Sequence, residues 1–274
     1  EIGASSTDYG AKINQASTGH ILQLQDGGTD VMAVKDGGDV GIGSTTANHF
    51  STGGTANVLG VKSTSGALVS ISSTGSSFCG VDLGTDNIRR GGMYALDGSH
   101  LGFYTNSANS GASLSERMRI SSDGYVTKPN QPIFYAYLDN DETDVVTGGW
   151  RNIPFDTLDF ACSHYNTTNH TFTTPVAGKY QFNYNLRLDN IDQGHNFIQV
   201  RFTIGGSTYR YQGIITPNDT FSADPDYMYI AGSSLFNLGA STAVTMDIYC
   251  HGGANQTDIM GTIFQSAWSG FLIG

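Results

Sequence analysis

Gly178-Lys179-Tyr180-Gln181-Phe182-Asn183-Tyr184-Asn185-Leu186-Arg187-Leu188 decides how the second half of the chain is read. Tyr180, Phe182, Tyr184, Leu186 and Leu188 fall on one face, and Lys179, Gln181, Asn183, Asn185 and Arg187 on the other. A strict period of two marks a strand buried on one side only. Outward from it lie further apolar runs: Ile133–Leu138 before, then Phe197–Ile204, Tyr209–Ile215, Tyr227–Leu238, Ala243–Cys250 and Gly261–Ile273 after. Gly205-Gly206 between two of these runs reads as a hairpin tip. Eight to ten strands at this spacing, without a helical period, predict a two-sheet sandwich.

The order of landmarks is more specific. Phe134-x-Ala136-Tyr137-Leu138 is followed by Trp150-x-x-Ile153-x-Phe155-Asp156-Thr157, then Tyr165-Asn166. Phe172-Thr-Thr-Pro175-Val-Ala-Gly178-x-Tyr180-x-Phe182 comes next, and Trp268-Ser-Gly270-Phe271-Leu-Ile273 ends the run. Together these resemble the globular head of the complement-component-one-q and tumour-necrosis-factor superfamily, over nearly all of residues 131–274. The resemblance implies a ten-stranded jelly roll that assembles as a tight homotrimer, of the kind found at the distal ends of viral and bacterial fibres. Phe134, Tyr137, Phe172, Tyr180, Phe182 and Phe271 are aromatic residues suited either to the sandwich core or to a trimer interface.

Residues 1–130 differ in character. They hold most of the 36 glycines and read as short apolar runs cut by Gly, Asp, Ser and Thr. Met32-Ala-Val34-Lys-Asp36-Gly37-Gly38-Asp-Val40 matches Met118-Arg-Ile120-Ser-Ser-Asp123-Gly124-Tyr-Val126, and Val69–Gly75 is a looser third copy. Each copy predicts a short β-hairpin, because Asp-Gly and Gly-Gly tips supply the positive φ of a tight turn. An isolated hairpin is marginal in water, so these apolar faces call for other copies of the chain around a symmetry axis. Thr29–Ser44 and Glu116–Val126 also resemble phrases of bacteriophage tail-fibre shafts, which implies an intertwined homotrimeric β stem. The expected organisation is all-β: a hairpin shaft over 1–130, a junction at Lys128-Pro129-Asn130-Gln131-Pro132, and a jelly-roll head over 131–274.

Composition excludes several functions. Lys+Arg number 13 against 24 Asp+Glu, a net charge of −11, so the basic footprint of a nucleic-acid binder is missing. No apolar run long enough for a transmembrane helix exists. The chain opens at Glu1 with neither Met nor a leader pattern, which reads as a piece of a longer chain. Cys79, Cys162 and Cys250 fit no zinc spacing and read as free thiols, with a Cys162–Cys250 bridge the alternative.

Asp139, Asp141 and Asp144 invite a Ca2+ reading. They depart from the EF-hand loop, which needs Gly at the sixth position and Glu at the twelfth; here these are Asp144 and Trp150. The run reads instead as a solvated loop, and Asp219, Asp224 and Asp226 as a second. His164 and His170 lack metal-ligand spacing. No nucleophile elbow, P-loop or dinucleotide fingerprint is present, so catalytic residues are not expected. The Asn-x-Thr sequons at Asn166, Asn169, Asn218 and Asn255 read as chance in a chain rich in Asn and Thr. Recognition is expected at loops 190–196, 216–227 and 251–258, through His195, Asn196, Tyr227, His251 and Asn255.

The expectation is a homotrimeric tail fibre, at the virion surface and extracellular in use, whose head binds a host-surface glycan or protein and whose stem meets other tail or capsid proteins. A capsid or head-decoration fibre without a receptor is the alternative, and a polysaccharide depolymerase a more distant one.

Overall fold

The computed structural model describes residues 19–34, 40–42, 59–61, 69, 71, 78–85, 88–96, 100–106 and 114–274. The chain divides into two units, Glu1–Val126 and Thr127–Gly274.

In the first unit, β1 (Leu22–Asp26), β2 (Thr29–Val34), β3 (Val40–Ile42) and β4 (Leu59–Val61) form a sheet in that order. Its neighbours are antiparallel except β3 and β4, which run parallel. A second sheet is a meander of β5 (Cys79–Thr85), β6 (Ile88–Leu96), β7 (His100–Asn106), β8 (Leu114–Ile120) and β9 (Val126–Thr127). Two of the three repeats quoted above are hairpins, β2 with β3 and β8 with β9. The Val69–Gly75 copy lies outside the described residues apart from Val69 and Ile71, both exposed.

The second unit contains β10 (Ile133–Tyr137), β11 (Arg151–Asn152), β12 (Thr157–Leu158), β13 (Tyr165–Asn166), β14 (Thr171–Thr173), β15 (Gly178–Asp189) and β16 (His195–Ile204). It continues with β17 (Thr208–Ile215), a single helical turn α1 (Pro217–Thr220), β18 (Tyr227–Leu238), β19 (Ala243–Gly252), β20 (Asp258–Ile259) and β21 (Ala267–Leu272). The pairings are nested: β16 with β17, β15 with β18, β14 with β19, and β10 with β21. That is one long antiparallel ribbon folded over on itself, the defining topology of a jelly roll. The outcome is two facing sheets, β12-β10-β21-β15-β18 and β13-β14-β19-β16-β17, with β20 beside β15 and β11 beside β19. Eight principal strands are thus joined by four two-residue segments.

Local chemistry explains the elements. The β16–β17 tip is Gly205-Gly206 with φ of 61° and 74°, the two positive values a tight hairpin turn requires. The last strand begins at Ala267, not at Gly261 as the apolar run suggests. The backbone of Asn140 packs against Gly261, and Thr262 adopts a φ of 103°, so this stretch turns before it extends.

The core lies between the sheets. Phe134, Phe155, Phe172, Tyr180, Phe182, Phe202 and Trp268 are essentially fully buried and touch ring to ring. Trp268 Nε1 donates to Tyr165 Oη at 3.3 Å, and Tyr165 Oη donates to the Phe155 carbonyl at 2.8 Å. Both polar tips are therefore satisfied inside the aromatic core, as burial demands. All three cysteines are free, and Cys250 is buried. Among the described residues, no helix is long and apolar enough to cross a membrane.

Candidate functional site

The sandwich has two outer faces, and β15 shows how the first is made. Its odd-numbered residues point away from the core, in register with outward residues of β10, β21 and β18. Ile133, Phe271, Gln181 and Leu235 form one row; Tyr135, Ser269, Asn183 and Ser233 form the next. Tyr137 and Asn185 continue the face in a third row. Leu235 is 54% exposed, Ile133 49% and Phe271 36%. The middle of the face therefore carries apolar side chains, hydroxyls and amides without a charge. Charge is confined to its margins, at Lys179 and at the Arg187–Asp189 ion pair of 2.7 Å. The six aromatic residues singled out in the sequence separate accordingly. Phe134, Phe172, Tyr180 and Phe182 fill the core between the sheets, whereas Tyr137 and Phe271 lie on this outer face.

In the first unit, one face of the β5–β9 meander presents a comparable apolar ladder. Val81, Met93, Phe103 and Met118 align across four strands, beside Cys79, Ala95, Leu101 and Ile120. Val81 and Met93 are about two-fifths exposed. The opposite face is polar and aromatic: Tyr94 hydrogen-bonds Asp82, Tyr104 Oη donates to Glu116 at 3.1 Å, and Arg119 pairs with Glu116 at 2.8 Å. The Arg119 hydrogen bond, foremost, holds the Glu116 carboxyl below its ordinary pKa.

The three loops expected to recognise a ligand do meet, but mainly to brace one another. Asn190 N–H donates to Asp226 O at 3.0 Å, and Gln193 N–H to Asp224 Oδ1 at 2.8 Å. Asp192 accepts from the amides of Gly194 and Ala254, and Asn190 Nδ2 donates to Asp258 Oδ2 at 2.6 Å. These amides, Ala254 first, lower the Asp192 pKa.

His195 is a correction to the sequence reading. It opens β16 and turns inward, fully buried. Its Nδ1 donates to Gly252 O at 2.7 Å and its Nε2 meets Thr257 Oγ1 at 2.9 Å, so it staples the loops and reaches no ligand. Tyr227 is the first residue of β18, 60% exposed at the margin of the first outer face, with the Arg187 guanidinium 4.9 Å from its ring centroid. Asn196 and Asn255 are exposed. Asn196 Nδ2 lies 3.2 Å from His251 Nδ1, and Asn255 Oδ1 accepts from Thr147 N–H at 2.9 Å.

Asp139, Asp141 and Asp144 are exposed but do not converge. Asp141 accepts from the Gly261 amide at 2.7 Å, while Asp144 lines a cavity of about 280 Å3 with Glu142 and Arg151. Among the described residues, no group of three or more His, Cys, Asp or Glu could hold a metal ion.

Nested strands with two distinct outer faces define a jelly-roll head joined to a β-rich first unit. No protein-family model and no curated protein matches the chain. Among solved structures, the globular domain of zebrafish complement 1qA protein is similar over 53% of this chain and 98% of its own, at 14% identity and a TM-score of 0.37. Murine APRIL, crystallised at pH 8.0, is similar over 53% of this chain and 100% of its own, at 7% identity and a TM-score of 0.39.

Proposed function

We propose that this chain is a homotrimeric fibre protein of adhesive rather than catalytic function, a bacteriophage tail fibre whose jelly roll is the trimerising, ligand-presenting head. The observation that carries this reading is the uncharged middle of the outer face of β10, β21, β15 and β18, with Ile133, Leu235 and Phe271 open to solvent. A chain of net charge −11 that keeps charge off one sheet face keeps that face fit for another apolar surface. Copies arranged around a threefold axis can each turn this face inward, one part of it against a different part of the next copy. The apolar ladder of the first unit supports the same conclusion for the stem. Three heads held together would present weak sites jointly, so that multivalency raises avidity without any new contact. The partners are a host-surface glycan or protein at the head and other virion proteins at the stem. The location is the virion surface, extracellular in use.

Light scattering tests the assembly. Three chains of 29.1 kDa give a mass of about 87 kDa. Leu235→Glu combined with Phe271→Glu is expected to reduce it to that of one chain. A native monomer would overturn the reading.

A further inference from the structure

The second outer face, formed by β11, β19, β16 and β17, is built quite differently. Its outward side chains include a cluster of rings. Phe197 and His251 stack at 4.8 Å with planes 4° apart, and Phe197 meets Tyr249 edge-on at 5.4 Å. Tyr249 lies 5.4 Å from Trp150, which lies 5.7 Å from Tyr211. Five aromatic or imidazole rings therefore touch in an unbroken line across three strands and the residue preceding β11. Tyr211 is 56% exposed and Tyr209 beside it 43%.

At one end of this line sits Arg201. Its guanidinium lies 4.0 Å from the Trp150 centroid and 3.8 Å from that of Tyr209, so both of its flat faces are covered. Its Nε donates to Asp247 Oδ2 at 3.0 Å, and that carboxylate also accepts from Thr203 Oγ1 at 2.5 Å. Arg201 and Asp247 are each at most 9% exposed. The cation is thus neutralised and enclosed. It serves to fix Trp150 and Tyr209 in place, and it is not an anchor for an anion.

From this geometry we infer that the aromatic face is a binding platform for a neutral polysaccharide. Three features select that ligand class. The rings are held by mutual contact and by the Arg201 clamp, so little ordering remains to oppose binding. Ring faces attract the C–H faces of pyranoses, and the phenols of Tyr209, Tyr211 and Tyr249 with the amides of Asn196 and Gln199 offer hydrogen bonds to sugar hydroxyls. The enclosed Arg201 and the net charge of −11 disfavour acidic glycans. The contacting line from His251 to Tyr211, each ring 4.8–5.7 Å from the next, is long enough to suit an extended chain of sugar units better than one monosaccharide. The inference rests on the adhesive reading proposed above and names its ligand class and its surface. It moves recognition from the loop tips to the sheet, on the opposite side of the sandwich from the self-association face.

Affinity electrophoresis of the full chain tests it. The gels contain laminarin, mannan, glycogen or xyloglucan, with hyaluronan as the acidic control, at low and high salt. Retardation by at least one neutral polymer at both salt levels is expected. Tyr209→Ala with Tyr211→Ala, both exposed positions, should weaken it about tenfold or more while solution mass stays unchanged; because Tyr209 covers one face of Arg201, the thermal midpoint should fall modestly. No retardation by any neutral polymer, retardation that the double variant leaves intact, or a change of mass in that variant would each overturn the platform. Adsorption to a panel of bacterial cells separates the two readings. Glycan binding without adsorption sinks the adhesive function and leaves the platform standing. Adsorption that the double variant loses, with no neutral polymer bound, sinks the platform as a glycan site and leaves adhesion standing.

Discussion

Gly270 shows how much one hydrogen atom matters in this core. A Cβ there would lie 2.6 Å from Phe134 Cε1 and from Phe182 Cδ1, ring atoms that are themselves packed on all sides. Gly270→Ala should therefore cost about 1–3 kcal/mol through overpacking, read as a fall in the thermal midpoint. Asp192 makes a different kind of prediction. Amide hydrogen bonds, that of Ala254 foremost, depress its carboxyl in the folded chain. A depressed acid contributes stability above its unfolded pKa of about 3.9 and loses it as pH falls through the folded value. The midpoint of Asp192→Asn should accordingly change less than that of the native chain on acidification below that pH; parallel acid limbs would refute the role. His195 was legible as a polar loop residue and wrong as a ligand contact, because only the register of β16 turns it inward.

At the scale of strands, β16 and β19 are coupled by more than their ladder. Arg201 faces Asp247 across the pair, and both are nearly buried. Removing one partner of such a pair strands the other charge. Asp247→Ala should thus cost about 3–5 kcal/mol in chemical denaturation, far beyond the effect of an exposed ion pair. Alternation along β19 also places Cys250 inside, where burial pushes its thiol pKa up to about 12. Iodoacetamide at mildly alkaline pH should label the half-buried Cys162 before Cys250, and labelling of Cys250 only after unfolding would confirm its packing. The strands over 133–137, 178–189 and 227–238 were readable because each alternates or runs apolar for its full length. The first three strands of the meander, over 79–106, were not. Gly80, Gly92 and Gly102 interrupt its pattern and look like turn residues, yet they lie under the rings of Tyr94 and Tyr104, where a Cβ would collide.

For the whole molecule, the two units place different demands on the proposed assembly. The head has a complete aromatic core within one chain and should keep its fold as a monomer when Leu235 and Phe271 are charged. The first unit exposes its ladder of Val81 and Met93 and should need neighbouring copies. On the proposed assembly, a fragment of residues 127–274 is expected to be trimeric in light scattering and one of residues 1–126 to lack a defined mass; a stable trimer from the shorter piece alone would assign registration to the first unit. Fold class and the candidacy of Phe134, Phe172, Tyr180 and Phe182 for burial, in the core or at an interface, follow from chain-local patterns, since period and residue size report burial without reference to partners. Which aromatics face outward does not follow from such patterns. Phe271 and Tyr137 resemble core residues in sequence, and Trp150, Phe197, Tyr211 and Tyr249 come from four separate segments. Strand register and sheet pairing bring them to one surface, and a linear pattern carries neither.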